Sequence, residues 1–158
     1  MDYLMIKENR KLSEEKSIEI LNNASHGILS TIDEDNQPYG VPLSYVLINK
    51  TIYFHCANNG HKLHNINYNN KVSFTVVSND YPVIDDENDY TTRYASVIVF
   101  GKAYIVLDKE EKIKSLKALT NKYFENMSFF DDNVKRFIDA TTIVAIDIDK
   151  ISGKSNIK

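Results

Sequence analysis

Hydrophobic and polar residues alternate along this chain in short runs, a pattern typical of β-strands that place one face against a core. Six runs of this kind are separated by polar, Gly-containing or Pro-containing turns: 28–32, 39–48, 51–56, 72–77, 94–107 and 142–148. Pro42 interrupts the second run and predicts a sheet edge or a bulge there. Where the connections are short, neighbouring strands are expected to be antiparallel.

Helical spacing of apolar residues appears between these runs. Ser13 can cap a helix that extends to Ala24, and the best helix of the chain is predicted over 110–124. A short helix is predicted from Lys62 to Asn69, and a further one from Asp131 or Asp132 through Ile138. The pattern therefore predicts an α+β protein, mainly β, in which a six-stranded antiparallel barrel carries flanking helices. One domain over residues 1–158, with its core at about 10–155, is expected from the length.

Two segments depart from the strand pattern. Residues 79–92 carry five acidic side chains, among them Asp80, and few apolar ones, so an exposed loop or excursion is predicted. Residues 151–158, with Ser152-Gly153-Lys154, are predicted to form a polar tail.

The charge and composition of the chain limit the kinds of partner and compartment that are expected. The net charge is −3 and no basic stripe is present, so no nucleic-acid partner is expected. Cys56 is the lone cysteine, which excludes a disulfide within the chain and favours a reducing, cytoplasmic compartment. No stretch approaches the roughly 20 apolar residues that span a bilayer, and residues 1–10 lack the apolar core of a signal peptide, so no membrane association is expected.

The turn Gly60-His61-Lys62 is the first candidate for chemistry. It follows an apolar strand and begins a predicted helix, so helix amides, the imidazole of His61 and the ammonium of Lys62 could together hold a phosphate. An ordinary loop with a solvated lysine explains the same residues, because no complete phosphate-binding fingerprint is present.

His55 is a polar residue in an otherwise apolar strand. It could deliver a proton in a pocket, or it could be a hydrogen-bonded core or interface histidine. A zinc site with Cys56, His61 and His64 is a weaker alternative, because adjacent strand residues point to opposite faces and no second cysteine exists.

Two strands offer further polar contacts. Pro42 has no backbone N–H to donate to a neighbouring strand, so the backbone of Pro42-Leu43-Ser44 and the Ser44 hydroxyl could contact a ligand. The segment could also simply be a bulge. Ser96 lies on an alternating polar face that could meet a ligand, a subunit partner or solvent. The sequence contains no dinucleotide-binding Gly motif, P-loop, nucleophile elbow or HExxH motif.

Taken in order, several blocks of the sequence resemble one known family. The blocks are His26-Gly27-Ile28-Leu29-Ser30, Gln37-Pro38-Tyr39-Gly40-Val41-Pro42, Ile52-Tyr53-Phe54-His55-Cys56-Ala57 with Gly60-His61-Lys62, Lys71-Val72-Ser73-Phe74, Ser96-Val97-Ile98-Val99-Phe100-Gly101-Lys102-Ala103 and Ile151-Ser152-Gly153-Lys154. Their order and spacing resemble the nitroimidazole-resistance (Nim) branch of the pyridoxamine 5′-phosphate oxidase-like flavoproteins, over residues 10 to 155.

The resemblance implies a split β-barrel that forms a homodimer with FMN at the subunit interface. It further implies a role for each candidate residue. His61 and Lys62 would hold the phosphate, with the backbone of Cys56 and Ala57 nearby. The isoalloxazine edge would be followed by Pro42, Leu43 and Ser44. Ser96 would contribute from its own strand, and His55 would lie beside the flavin and a small ligand.

The resemblance also shapes the expected activity. An FMN-dependent oxidoreductase that reduces a small substrate, such as a nitroaromatic, is the leading hypothesis. A non-catalytic flavin- or heme-binding protein for storage or sensing is the alternative. Oxidation of pyridoxamine 5′-phosphate is less well supported, because residues 148–154 do not match the Arg-rich end of the true oxidases.

Overall fold

The computed structural model describes residues 5–84, 90–124 and 138–157. These residues form three α-helices, a short 3-10 helix and seven strands. In chain order they are the 3-10 helix Glu8–Arg10, α1 Glu14–Asn23, β1 Gly27–Ile32, β2 Pro38–Leu43, β3 Val46–Ile48, β4 Thr51–Ala57, α2 His61–Tyr68, β5 Lys71–Ile84, β6 Tyr90–Ile105, α3 Lys109–Tyr123 and β7 Thr141–Ser155.

All seven strands belong to one antiparallel sheet in the order β2-β1-β5-β6-β7-β4-β3. The sequence predicted six strands, and the difference lies at 39–48, which forms the two strands β2 and β3. The backbone amide of Tyr45, between these strands, donates to the hydroxyl of Tyr123 at 3.0 Å, so the chain leaves the sheet at this corner. Pro42 lies at the edge of the sheet as predicted, because β2 is the outermost strand.

The sheet curls around a single core. Buried side chains from five of the strands meet inside it, and partly buried residues of β2 and β3 pack against them. Leu21 of α1 and Leu63 of α2 join the same cluster. Because the two outermost strands, β2 and β3, do not pair with each other, the curl is open on one side. The expected α+β class, a split antiparallel barrel with flanking helices, is therefore confirmed.

A smaller cluster lies on the outer face of β4 and β7. Ile143 and Ala145 are fully buried there, and Tyr53 and Leu116 of α3 pack against them. The Tyr53 hydroxyl donates to the Glu111 carboxylate at 2.9 Å, which fixes α3 on this face. None of the helices among the described residues is long and apolar enough to cross a membrane.

The predictions for the two irregular segments differ in outcome. The loop or excursion predicted at 79–92 contains a two-stranded arm, because Tyr81–Ile84 pair with Tyr90–Arg93 and extend β5 and β6 beyond a bulge. The prediction of a polar tail was wrong, because residues 151–155 form the second half of β7 and Gly153 pairs with Val97 of β6. The helix predicted from Asp131 or Asp132 falls almost entirely outside the described residues.

Candidate functional site

The candidate residues of β4 lie on both faces of the strand. Cys56 continues the inward face of Ile52 and Phe54 and packs against the main core, whereas His55 is exposed on the outer face. His55 pairs with Ile143 of β7, and Ala57 ends the strand at an exposed position. His55 and Cys56 therefore point to opposite faces of β4, as expected for adjacent residues of a strand. Within the described residues, no group of three or more histidine, cysteine, aspartate or glutamate side chains is arranged to hold a metal ion.

The start of α2 carries amides that are free to bind an anion. The amides of Leu63 and His64 both donate to the carbonyl of Gly60, so those of His61 and Lys62 find no acceptor among the described residues. Gly60 has φ +135°, a conformation that favours glycine, and it offers no side chain to cap the helix. A Cβ at Gly60 would meet no atom within 4 Å, so space is open beside these amides.

Lys62 places a cation beside these amides and beside Cys56. Burial raises the pKa of the Cys56 thiol, and the nearby Lys62 ammonium opposes that rise. Lys62 is half-buried and forms no ion pair with a described carboxylate. Free amides and an unpaired cation at one helix terminus are the elements of an anion site.

His61 turns toward the β1–β2 hairpin. Its Nε2 atom lies 3.7 Å from the Asp33 carboxylate, and its ring centroid lies 4.3 Å from that of Tyr39. Asp33 also accepts from the amides of Asp35 and Gln37, so the hairpin turn holds it in place. An anion at the start of α2 would compete with Asp33 for His61. The contacts to Asp33 and Tyr39 are not visible in the sequence, because they depend on how the sheet curls.

Hydrogen bonds of the Tyr123 hydroxyl hold the corner between β2 and β3, which contains Ser44. Pro42 is exposed on the outer face, Leu43 points inward to the core, and Ser44 is exposed in the connection to β3. The hydroxyl of Tyr123 lies 2.6 Å from the carbonyl of Ser25 and 3.0 Å from both backbone groups of Tyr45. These bonds tie the end of α3 to the corner and to the end of α1.

Ser96 lies apart from the other candidates within one chain. It is half-buried on the outer face of β6, paired with Val77 on one side and Lys154 on the other. His55 pairs with Ile143, eleven residues from Lys154 along β7. The structure thus brings Cys56 and Lys62 together at one end of the sheet and leaves Ser96 elsewhere.

A group of apolar residues that the site predictions did not include covers the outer face around Ser96. Ile28, Val77, Ile98 and Phe100 are 45%, 53%, 39% and 47% exposed. Val77 lies on the neighbouring strand β5, and Ile28 lies on β1, which pairs with the other side of β5. A signal was present in the sequence, because the run Val97-Ile98-Val99-Phe100 is apolar at every position. Runs of this kind are typical of strands that are covered on both faces.

Comparison with known proteins gives one family and a set of similar folds. The sequence model of the family described as pyridoxamine 5′-phosphate oxidase matches residues 13–155. A search of curated proteins finds no match.

Three solved structures illustrate the fold similarity. A putative 5-nitroimidazole antibiotic resistance protein from Bacteroides thetaiotaomicron is 24% identical, with 91% of this chain and 85% of that chain covered at a TM-score of 0.79. A flavocytochrome from Azotobacter vinelandii is 16% identical, with 99% and 73% covered at 0.80. An FAD-binding protein from Mesorhizobium loti is 21% identical, with 94% and 98% covered at 0.70.

Proposed function

Because the chain belongs to the pyridoxamine 5′-phosphate oxidase family, we propose that it is a flavoprotein that binds FMN and reduces a small substrate. The uncapped start of α2 beside Lys62 is the observation that carries this proposal, since it offers a seat for the FMN phosphate. Structures similar to this chain include proteins named for binding FAD and for nitroimidazole resistance, which supports a flavin and a nitroaromatic substrate.

The residues at this seat fit a phosphate in charge and in hydrogen bonding. The two free amides of His61 and Lys62 supply donors, and the Lys62 ammonium supplies a positive charge that no described carboxylate neutralises. Cys56 and Ala57 lie at the adjoining end of β4, so their backbone borders the same space. His61 would join the phosphate only by loosening its contact with Asp33 at 3.7 Å.

The remaining candidates fit a site shared between two copies of the chain. Pro42 and Ser96 lie on the outer face together with the exposed apolar side chains of Ile28, Ile98 and Phe100. A homodimer that covers this face would remove those apolar side chains from water. It would also bring Ser96 of one copy toward the other copy's Pro42–Ser44 corner, which a single chain does not do.

Each protein group then has a physical task. The bound flavin would supply the redox chemistry, and the protein would bind and orient it. Backbone donors near Pro42, Leu43 and Ser44 would face the isoalloxazine edge, and the Ser44 hydroxyl is exposed and able to donate. His55 is exposed on the outer face, where its imidazole could position a small substrate or transfer a proton.

A second candidate function is binding of flavin or heme without turnover. The exposed imidazole of His55 is suited to ligate heme iron, and the fold is similar to that of a flavocytochrome. A Soret band in the purified protein would identify heme. Flavin that binds but is not reoxidised by any nitroaromatic substrate would favour storage or sensing.

The direct test is to titrate the cofactor-free protein with FMN and follow flavin fluorescence. Lys62→Gln should weaken FMN binding by roughly ten- to a hundredfold, the worth of one charge-assisted bond to phosphate. Riboflavin, which lacks the phosphate, should bind wild type and variant alike.

The matched control is Lys117→Gln, because Lys117 is an exposed lysine on α3 and its loss changes the net charge equally. Equal FMN affinity in the two variants would place the phosphate elsewhere. No FMN binding by the wild type would end the proposal.

A further inference from the structure

Two cations converge on one tyrosine at the end of β6 remote from Lys62. Burial raises the pKa of the Tyr94 hydroxyl, and the side chains of Arg10 and Lys154 lie near enough to lower it. Lys154 lies on β7 directly across from Ser96, and Tyr94 is two residues before Ser96 on the same outer face. The backbone brings Arg10 and Lys154 near each other, because Leu12 donates to the carbonyl of Gly153 at 3.0 Å and Lys11 forms a bridge with Lys154.

Among the described residues, no carboxylate neutralises the positive charge of this cluster. Neither Arg10 nor Lys154 forms an ion pair with a carboxylate among the described residues. Glu8, the acid of the 3-10 helix, is exposed, and Arg93 is engaged with the carbonyl of Asn156 at 3.1 Å. Two cations that no described carboxylate compensates attract anions, so the cluster is suited to bind an external anion.

The side chains themselves are held rather than freely solvated. Arg10, Tyr94, Ser96 and Lys154 are all half-buried. Burial alone would raise the pKa of Tyr94, but hydrogen bonds and charge from Arg10 and Lys154 lower it below its usual value. The two cations therefore favour negative charge at the phenol oxygen, as they would favour a bound anion.

We propose that Arg10, Tyr94 and Lys154, with the hydroxyl of Ser96 beside them, form a second anion-binding site that takes the phosphate group of a small molecule. The guanidinium of Arg10 supplies a planar pair of donors, and Lys154 supplies a point charge. The site is separate from the start of α2, so its existence does not depend on Lys62.

FMN carries a single phosphate, and the proposed function places that phosphate at the start of α2. The phosphate bound at this second site therefore belongs to a phosphorylated substrate or electron donor, an assignment that rests on the proposed function. Inorganic phosphate is the probe. Saturation with FMN should leave binding of the probe unchanged, and loss of probe binding in the FMN-saturated protein would overturn the assignment to a separate ligand.

The experiment is a spectroscopic titration of Tyr94 with and without inorganic phosphate, at matched ionic strength. With ten tyrosines in the chain, phenolate absorbance must be taken as the difference between wild type and Tyr94→Phe. Phosphate should move the ionisation of Tyr94 to higher pH, because an anion between the two cations removes their attraction for the phenolate. Phosphate affinity measured from this shift should fall roughly tenfold or more in Lys154→Gln.

Controls separate this site from the proposed flavin seat. Lys62→Gln should leave the phosphate-dependent shift of Tyr94 unchanged, and so should Lys102→Gln, which removes an exposed lysine from the same strand. Arg10→Gln, outside the sheet, tests the site again if Lys154→Gln does not fold. A Tyr94 titration that ignores phosphate, or Arg10→Gln and Lys154→Gln proteins that bind phosphate as wild type does, would overturn the proposal.

Discussion

Lys122 is a cation whose charged end is out of contact with water, directly behind the Ser44 corner. Its Nζ atom is buried, has no hydrogen-bond partner among the described residues and lies 3.8 Å from the ring centroid of Tyr45. Burial lowers the pKa of Lys122 from its usual 10.5 to about 8. Lys122→Met removes the charge but keeps the length of the alkyl chain, so the packing is largely preserved.

The size of the effect follows from that pKa. A full shift to about 8 corresponds to about 3 kcal/mol, at about 1.4 kcal/mol for each pH unit. The side chain is only half-buried, so solvent screening reduces the cost to about 1–2 kcal/mol. The face of the Tyr45 ring attracts the ammonium and offsets part of the remainder. We expect Lys122→Met to be more stable than wild type by about 1 kcal/mol at neutral pH.

The pH dependence has a definite sign. Between about pH 8 and 10.5 the unfolded chain binds a proton on Lys122 that the folded chain does not, so wild-type stability rises relative to the variant across this window. Below about pH 8 the cost is present in full. The advantage of Lys122→Met should therefore disappear as the pH approaches 10.5.

Urea unfolding of both proteins at several pH values measures this difference in the free energy of unfolding. Lys117→Met, at an exposed position of the same helix, should show no such dependence. If the contact with the Tyr45 ring outweighed burial, the sign would reverse, and wild type would lose stability relative to Lys122→Met as the pH rises. That result, or a difference that is flat with pH, would refute the reasoning.

Two further predictions concern the frame of the site. Tyr123→Phe should lower the free energy of unfolding by about 1–3 kcal/mol, because the buried amide of Tyr45 loses its hydrogen-bond acceptor. Urea unfolding measures this loss, and the slope of the free energy against urea concentration should not change. A loss under about 0.3 kcal/mol would contradict the role of Tyr123 in holding the corner. Gly101→Ala should cost about 1–3 kcal/mol, because a Cβ there would overlap the backbone carbonyl oxygen of Asp147, whereas Gly40→Ala, whose nearest new contact is 3.5 Å, should be near neutral in thermal unfolding. Equal melting temperatures for the two glycine variants would contradict this account.

The helices were predictable because their signals are local. α1 begins one residue after Ser13, whose side chain accepts from the amide of Lys16 at 3.3 Å, as the sequence predicted. α3 was placed within one residue at each end, and there Asp108 accepts from the amide of Glu111 at 2.8 Å. A cap and its acceptor lie three residues apart, so no knowledge of the tertiary fold is needed to find them.

The strand ends were missed because their signals are not local. Ser152-Gly153-Lys154 is a polar sequence, yet Gly153 pairs with Val97 and lies so close to α1 that a Cβ would overlap the hydroxyl of Ser17. Burial at Gly153 comes from the missing side chain, which hydrophobicity does not measure. The two-stranded arm could not be predicted for a similar reason. Acidic residues such as Asp80 interrupt the apolar pattern, although the main-chain pairing of β5 and β6 continues there.

The site was predictable in its parts but not in its assembly. Lys62 and Cys56 are close in sequence, and the structure keeps them close in space. Ser96 belongs to a strand whose inner residues, Val97 and Val99, are fully buried, while Ile98 on the outer face is 39% exposed. A strand that is apolar on both faces, but covered on only one, needs another surface to remove its outer face from water. In the proposed dimer that surface belongs to another copy of the chain. Ser96 and Lys62 can then serve one flavin only across the two copies, so a mixed dimer of Ser96→Ala and Lys62→Gln chains should retain one intact site.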